Sequence, residues 1–216
     1  MMEKGFRNWV LTSILNINRK HLINMIDFPV DEDSLILDIG CNVGSVTRHL
    51  SLRAKTIGLE IDKDQVRWAK KCNKHIDFVC CDISHLPLIK SSVNVVVCSS
   101  VLEHIKNLDE ALEEIAFVLK DSGEIVAGYP IETRMLEFLV KSFCRSVSAD
   151  STWGVHDITS RKELLKSPHT HKQTFAAIRE ILGKDFSLLK KWKMPLTSFP
   201  DLISIYEISL LVKKQN

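Results

Sequence analysis

The stretch Leu35-Ile36-Leu37-Asp38-Ile39-Gly40-Cys41-Asn42-Val43-Gly44 decides the fold of this chain. An apolar run ends in a carboxylate and continues into a turn that contains two glycines. This pattern predicts a buried parallel strand that breaks into a tight turn and then opens a helix. An α/β protein binds nucleotides at such a point, because glycine allows a ligand to approach the backbone closely. Many folds that bind no ligand also contain this pattern, so the rest of the chain has to show whether this turn binds a nucleotide.

Composition and charge limit the classes to which this protein can belong. Its 216 residues are 45% hydrophobic, which suits one well-filled core, and the net charge of +2 requires neither a nucleic acid nor a membrane as partner. The apolar segment 9–15 is too short to span a bilayer. The six cysteines include no Cys-x-x-Cys pair, which favours free thiols in a reducing cytoplasm. We therefore expect a soluble, unprocessed, cytoplasmic protein.

Apolar runs that alternate with helical patterns organise the middle of the chain. Such alternation predicts a parallel sheet with right-handed crossovers. The N-cap patterns Asp62 with Gln65 and Asn107 with Glu110 begin two of the helices, and Asp121-Ser122-Gly123 is expected to end the second. The five predicted strands are 35–39, 56–62, 76–81, 93–98 and 125–129.

The two ends of the chain have other patterns. Residues 6–27 predict one or two amphipathic helices. After Pro130 we expect a helix over 132–147, irregular structure over 148–170 and a helix over 172–182. The last two apolar runs, 186–192 and 203–212, are too close for a crossover helix, so they predict an antiparallel hairpin at the sheet edge.

Three carboxylates, Asp38, Glu60 and Asp82, stand at the ends of successive predicted strands. In a parallel sheet these ends meet at one edge, which is the edge that binds ligands. A carboxylate about twenty residues beyond the first glycine of the turn can accept hydrogen bonds from both hydroxyls of a ribose. The other two can accept from an adenine amino group and orient the turn or a ligand ammonium. Acidic residues at strand ends also cap helices, so the prediction depends on the set of three.

The segment 35–130 resembles the class I S-adenosylmethionine-dependent methyltransferases, within the group that includes many small-molecule methyltransferases. This resemblance implies an α/β, Rossmann-like three-layer sandwich with a seven-stranded, mostly parallel sheet whose last strand is antiparallel. The stretches that carry it, in order and at family spacing, are Leu37-Asp38-Ile39-Gly40-Cys41-Asn42-Val43-Gly44, Gly58-Leu59-Glu60-Ile61-Asp62, Cys81-Asp82-Ile83-Ser84-His85-Leu86-Pro87 and Val95-Val96-Val97-Cys98-Ser99-Ser100-Val101-Leu102-Glu103-His104.

The resemblance further implies S-adenosylmethionine as the cofactor. Asp38 and the glycines would shape the pocket for methionine and ribose, and Glu60 would bind the ribose hydroxyls. Asp82 with Ile83 would frame adenine, and Ser99 would lie near the methionine moiety. The expected cofactor-binding residues are Asp38, Gly40, Cys41, Asn42, Gly44, Glu60, Ile61, Asp82, Ile83 and Ser99.

Asn42 departs from the family pattern, since it stands where a third glycine is usual. Asparagine tolerates a positive φ, so we expect the turn to be kept. Asn94 replaces a frequent Asp and Lys120-Asp121-Ser122-Gly123 replaces Lys-Pro-Gly-Gly, and neither is expected to touch the cofactor.

The residues that act on a methyl acceptor are harder to predict. His104 is a candidate catalytic base just past the fourth strand, and the alternative is that it caps or packs the following turn. Tyr129, Trp153 and His156 are candidates for an acceptor pocket after the fifth strand. His156, His169 and His171 lack regular ligand spacing, so we predict no metal site.

We expect a single methyltransferase domain over 1–216. It would comprise an N-terminal helical cap (1–30), a cofactor-binding core (31–130), a helical lid insertion (131–171), and a closing helix with the edge hairpin (172–216). The oligomeric state would be a monomer or a homodimer.

The leading hypothesis is a methyltransferase that acts on a small molecule. An RNA methyltransferase that uses the basic region after Arg161, and a non-catalytic S-adenosylmethionine-binding regulatory protein, are the alternatives. The segment Cys98-Ser99-Ser100-Val101 lacks the Asn/Asp-Pro-Pro-aromatic motif of enzymes that methylate amino groups of nucleic acids or proteins, so nucleic acid is the less favoured acceptor. A nicotinamide dehydrogenase is disfavoured, because the turn lacks Gly-x-Gly-x-x-Gly spacing and Asp82 would have no role.

Overall fold

The structure is a computed structural model that describes residues 17–131, 172–194 and 206–214. The chain starts with helix α1, described over 17–24, and then alternates between strands and helices. A short 3₁₀ helix, Leu102–His104, follows the fourth strand. The other elements are β1 (Leu35–Ile39), α2 (Thr47–Leu50), β2 (Lys55–Glu60), α3 (Lys63–Cys72), β3 (Asp77–Cys80), β4 (Val93–Ser99), α4 (Leu108–Val118), β5 (Leu119–Pro130), α5 (Phe175–Asp185), β6 (Phe186–Met194) and β7 (Tyr206–Lys213).

The seven strands form one sheet in the order β3-β2-β1-β4-β5-β7-β6. Strands β1 to β5 are parallel to one another, and β7 lies antiparallel to both β5 and β6. The predicted parallel sheet and the antiparallel hairpin at its edge are therefore confirmed. The seven strands and the antiparallel last strand, β7, are those that the resemblance implied.

Helices cover both faces of the sheet. On one face, Leu112 and Ile115 of α4 and Ile178 of α5 pack against the strands. On the other face, Leu22 of α1 and Leu50 of α2 share a buried cluster with β-branched residues of the central strands. Strand β4 is buried from Val93 to Cys98, as its β-branched sequence predicted for a strand covered on both sides.

Local structure differs from the sequence predictions at two helix boundaries. Asp62 caps α3 as expected, because its carboxylate accepts hydrogen bonds from the amides of residues 64 and 65. Asn107 does not cap α4, since its side chain donates to Glu110 instead. Asp121-Ser122-Gly123 does not end α4 as predicted, because α4 already ends at Val118 and these residues lie within β5, whose register with β4 shifts between Leu119 and Glu124.

Several predictions fall on residues 1–16 and 132–171, which lie outside the described part of the chain. These are the first half of the N-terminal cap, the lid insertion, the acceptor candidates Trp153 and His156, and the histidines His169 and His171. Among the helices that the structure does describe, none has the length and apolar composition needed to cross a membrane.

Two glycines in different environments provide a test of the packing. A Cβ at Gly58 on β2 would lie 2.6 Å from Phe78 Cδ1 and 2.9 Å from Cys41 Sγ, whereas a Cβ at Gly183 on α5 would meet nothing within 4 Å. We expect Gly58→Ala to lower the free energy of unfolding by about 2 kcal/mol through overpacking. Gly183→Ala should raise it by roughly 0.5–1 kcal/mol, because alanine favours a helix. Urea unfolding of both variants measures these changes, and equal effects would contradict the packing of Phe78 on β2.

Candidate functional site

The candidate site lies at the edge of the sheet where the parallel strands β1 to β4 end. Asp38 is the penultimate residue of β1, Glu60 is the last residue of β2, and Asp82 follows β3 by two residues. Because β2 and β4 pair in parallel with the two sides of β1, these ends lie side by side. The structure therefore brings the three predicted carboxylates to one edge.

The turn after β1 has a left-handed backbone at three positions. The φ angles are 67° at Gly40, 51° at Asn42 and 81° at Gly44. The side-chain oxygen of Asn42 accepts a hydrogen bond from the Val43 amide at 2.6 Å, which stabilises this conformation. The prediction that asparagine keeps the family turn is thus confirmed.

Glu60 holds the turn after β1 and the turn after β2 together. Its Oε2 accepts a hydrogen bond from the Asn42 amide at 2.9 Å. Its Oε1 accepts from the Ile61 amide at 2.9 Å and from the Asp62 amide at 3.1 Å. Three amide donors fix the carboxylate in place, and the half-buried side chain keeps part of its surface open. The adjacent Ile61 is 65% exposed, so an apolar side chain lies on the surface next to this carboxylate.

Asp38 is the most buried of the three carboxylates, with only 1% of its surface exposed. Thr47, the first residue of α2, donates a hydrogen bond from Oγ1 to Asp38 Oδ2 at 2.6 Å. Burial raises the pKa of Asp38 to about 7, against the hydrogen bond from Thr47, and the nearby charge of Glu60 adds to the rise. Asp38 therefore sits where a cation brought by a ligand would favour its charged form.

Asp82, Ile83 and Cys41 occupy different environments at this edge. Asp82 is exposed, and its Oδ1 accepts a hydrogen bond from the Ser84 amide at 3.0 Å. Ile83 is half-buried against the main core cluster. Cys41 is buried with Phe78, and burial raises the pKa of its thiol, so this residue presents backbone rather than sulfur to the edge. Its amide donates to the Leu59 carbonyl at 2.9 Å.

Strand β4 ends at the half-buried Ser99, and the chain then turns towards His104. The His104 side chain is 37% exposed, and its Nε2 lies 4.0 Å from Oε1 of Glu103, whose side chain is 3% exposed. This separation exceeds a hydrogen bond but places an imidazole beside a buried carboxylate at the correct edge. A catalytic role for His104 stays a prediction.

Tyr129 does not lie where its predicted contact with an acceptor requires. It is 1% exposed and packs against Phe175 with ring centroids 5.7 Å apart. Its hydroxyl donates to Glu207 Oε1 at 3.1 Å and forms a 3.0 Å hydrogen bond with Ser209 Oγ. Burial raises the pKa of this hydroxyl. The strand turns Tyr129 into the core, so we correct its assignment to a structural one.

Two contacts in the site were missed from the sequence. Thr47 stands nine positions after Asp38 in a segment that looked like ordinary helix, and Tyr206 reaches the edge from the other end of the chain. The contact of Thr47 has a local signal, since a hydroxyl at the start of the helix faces the strand. The contact of Tyr206 has no local signal, because it depends on the antiparallel placement of β7. Across residues 17–131, 172–194 and 206–214, no three His, Cys, Asp or Glu side chains gather as a metal would require.

Comparison with known proteins gives an independent identification of the central segment. Residues 37–127 match the family model described as a methyltransferase domain. A malonyl-[acyl-carrier protein] O-methyltransferase of Methylovorus is 26% identical over 117 residues, which cover 49% of this chain and 40% of that protein. The mouse arginine-hydroxylase NDUFAF5 is 34% identical over 106 residues, or 47% of this chain and 29% of that protein. The chain spans less than half the length of the curated relatives it matches.

Solved structures extend the similarity to nearly the whole chain at the level of fold. The geranyl diphosphate C-methyltransferase of Streptomyces coelicolor, solved with Mg²⁺, geranyl diphosphate and S-adenosyl-L-homocysteine, matches with a TM-score of 0.69 at 11% identity. The match covers 94% of this chain and 82% of that one. At this identity the likeness defines the fold alone.

The buried Asp38 should make stability depend on pH. Its pKa is raised in the folded protein from an unfolded value near 3.9, so the folded state binds the extra proton and loses stability as pH rises from about 4 to about 7. Between pH 5 and pH 8 we expect the wild type to lose about 3 kcal/mol relative to Asp38→Asn, which does not titrate. Urea unfolding at several pH values measures this difference, and parallel pH profiles would contradict it.

Proposed function

We propose that the protein transfers a methyl group from S-adenosylmethionine to a small acceptor molecule, because residues 37–127 match a methyltransferase domain and lie on a sheet of the order expected for that fold. The observation that carries the proposal is the meeting of a left-handed glycine turn with three carboxylates at one edge of the sheet. A dinucleotide fold needs the turn and one carboxylate, whereas a nucleoside with an attached amino acid gives each of the three a partner.

The donors and acceptors of the edge fit the nucleoside half of this cofactor. Glu60 is fixed by three amides, two on Oε1 and one on Oε2, so its Oε2 can still accept a hydrogen bond from a ribose hydroxyl. The exposed side chain of Ile61 offers an apolar surface for a planar ring. Asp82, exposed two residues after β3, can accept from an exocyclic amino group, with Ile83 beside it.

When bound, the cofactor supplies a methyl group activated on a positively charged sulfur, so the protein's main task is to align the acceptor and exclude water. The ionised form of Asp38 is favoured by a positive charge at this edge and would orient the glycine turn around it. His104 would remove a proton only from an acceptor that must lose one. Its partly exposed ring next to the buried Glu103 suits that role.

The charge distribution supports a small acceptor over RNA. Three lysines of the basic closing region are held by acidic partners: Lys184 by Asp109 at 2.5 Å, Lys190 by Asp27, and Lys213 by Asp121 at 3.3 Å. Such pairs reduce the positive field available to a phosphate backbone. The overall charge of +2 is consistent with this view.

The cofactor assignment is tested by calorimetric titration with S-adenosylhomocysteine. Glu60→Ala should weaken binding at least tenfold, because it removes both the ribose acceptor and the hydrogen bond to the turn amide of Asn42. Asp64→Ala is the matched control, since it also removes one negative charge from the next turn of chain but lies exposed in an ion pair with Arg67. If the two variants bind alike, the pocket assignment is wrong.

The acceptor class is tested with radiolabelled S-adenosylmethionine and an extract of the source cells. We expect the label to appear in the fraction that passes a small-pore filter, and transfer to change little between 50 and 200 mM salt. Label in RNA with a steep loss of binding at the higher salt would favour the RNA methyltransferase instead. Retention of cofactor on the protein without transfer to either fraction would favour a non-catalytic binding protein.

A further inference from the structure

A pair of hydroxyl groups joins the end of β4 to the start of β7. The hydroxyl of Tyr206 lies 2.8 Å from Ser100 Oγ, across 106 positions of sequence. In the sheet, β5 lies between β7 and β4, so these two backbones are separated by two strand spacings, or roughly 10 Å. The Tyr206 side chain therefore crosses the carboxyl end of β5 to reach Ser100.

Gly128 of β5 makes this crossing possible. A Cβ at this position would lie 2.6 Å from the Tyr206 hydroxyl oxygen and 3.1 Å from its ring. The glycine thus leaves the space in which the tyrosine lies. The carbonyl of Gly128 also accepts a hydrogen bond from the Ser100 amide at 2.7 Å, so the same residue holds the serine backbone.

Ser100 is held in a conformation that a serine rarely adopts alone. Its φ is 56°, in the left-handed region, which costs free energy for a residue with a side chain. Such a residue persists only where its surroundings fix it. Here two hydrogen bonds fix it: the Ser100 amide donates to the Gly128 carbonyl, and the Ser100 hydroxyl bonds to the Tyr206 hydroxyl.

The turn at Ser100 determines where Val101 lies against the glycine turn. A Cβ at Gly40 would be only 2.2 Å from Val101 Cγ2, so the two turns touch directly at Gly40. A change in the backbone at Ser100 therefore moves the side chain that closes one side of the turn after β1. Tyr206 is linked to that turn through Ser100 and Val101.

The charge state of Tyr206 suits a fixed hydrogen bond. Burial raises the pKa of the phenol to about 12, the negative charge of Glu103 adds to the rise, and hydrogen bonds with Ser100 and Ser99 oppose it. The hydroxyl is therefore neutral at physiological pH and can donate or accept.

We propose that Tyr206 is a positioning residue for the methionine end of the cofactor, acting through the backbone of Ser100 and Val101. The inference depends on the proposed function. Glu60 and Asp82 follow β2 and β3 and bind the nucleoside half in that proposal, so the amino acid half has to extend past β1 towards β4. Ser99, Ser100 and the contact of Val101 with Gly40 form that end of the site.

The experiment compares two ligands by calorimetry. S-adenosylhomocysteine carries the amino acid, whereas 5′-methylthioadenosine has the same adenosine and thioether without it. We expect Tyr206→Phe to weaken S-adenosylhomocysteine about fivefold and to change 5′-methylthioadenosine by less than twofold, because the hydrogen bonds that the hydroxyl makes with Ser100 and Ser99 are lost while the residues around the nucleoside are unchanged. Equal weakening of both ligands, or none, would overturn the proposal.

Tyr129→Phe is the matched control. It removes a buried tyrosine hydroxyl from the same strand pair, β5 with β7, but that hydroxyl bonds to Glu207 and Ser209 rather than to the turn after β4. This variant should leave the ratio of the two affinities unchanged. A similar change of ratio in both variants would show a general effect of loosening the hairpin.

Substitutions at Ser100 test whether the backbone conformation is the cause. Ser100→Ala keeps the cost of positive φ and loses the hydroxyl bond, so it should match Tyr206→Phe, and the double variant should lose no more than either alone. Ser100→Gly adopts positive φ freely and should lose less. Fully additive losses, or a greater loss for glycine than for alanine, would contradict the mechanism. If wild type binds neither ligand, the proposed function itself fails.

Discussion

The candidate site depends on the contact between Gly40 and Val101, because it joins the turn after β1 to the turn after β4. A side chain at Gly40 would overlap Val101, and the left-handed backbone at this position already favours glycine. Parallel strands place both turns at one edge, but only direct packing between them makes a single surface. Glu60 gives the corresponding link on the other side, through its hydrogen bond to the Asn42 amide. The turn after β1 is thus held from both neighbouring strands.

The three carboxylates at this edge of the sheet show how position changes the chemistry of the same functional group. Asp38 is buried with a single hydroxyl donor, and its pKa rises towards neutrality. Glu60 is half-buried and accepts hydrogen bonds from three amides, and Asp82 is exposed to solvent with one amide donor. Burial thus decreases from Asp38 through Glu60 to Asp82. A ligand with separate positive and hydroxyl-bearing parts matches these three environments better than a uniformly polar ligand does.

Sequence patterns predicted the parts of the fold that depend on local chemistry. Apolar runs predicted all five parallel strands, and glycine spacing with a tolerant Asn42 predicted the turn. The errors come from contacts that the local pattern does not contain. The Asn107 side chain donates a hydrogen bond to Glu110 and does not cap the helix amides. Tyr129 points into the core because side chains alternate along β5, and the neighbouring strand β7 lies 77 or more positions later in the chain. Tyr206 was missed for the same reason, since only the folded sheet brings it to Ser100, whereas the contact of Thr47 with Asp38 spans nine positions and had a local signal.

The match to the methyltransferase domain ends at residue 127, yet the hydroxyl that fixes the turn after β4 comes from residue 206. The methyl transfer that we propose needs accurate alignment more than a reactive side chain, so rigidity of this turn matters as much as the residues around it. Gly128 directly follows the matched segment and Tyr206 lies far beyond it, and the space that the glycine leaves is occupied by the tyrosine ring. The antiparallel hairpin therefore does more than close the edge of the sheet, because it supplies the contact that keeps Ser100 in its strained conformation.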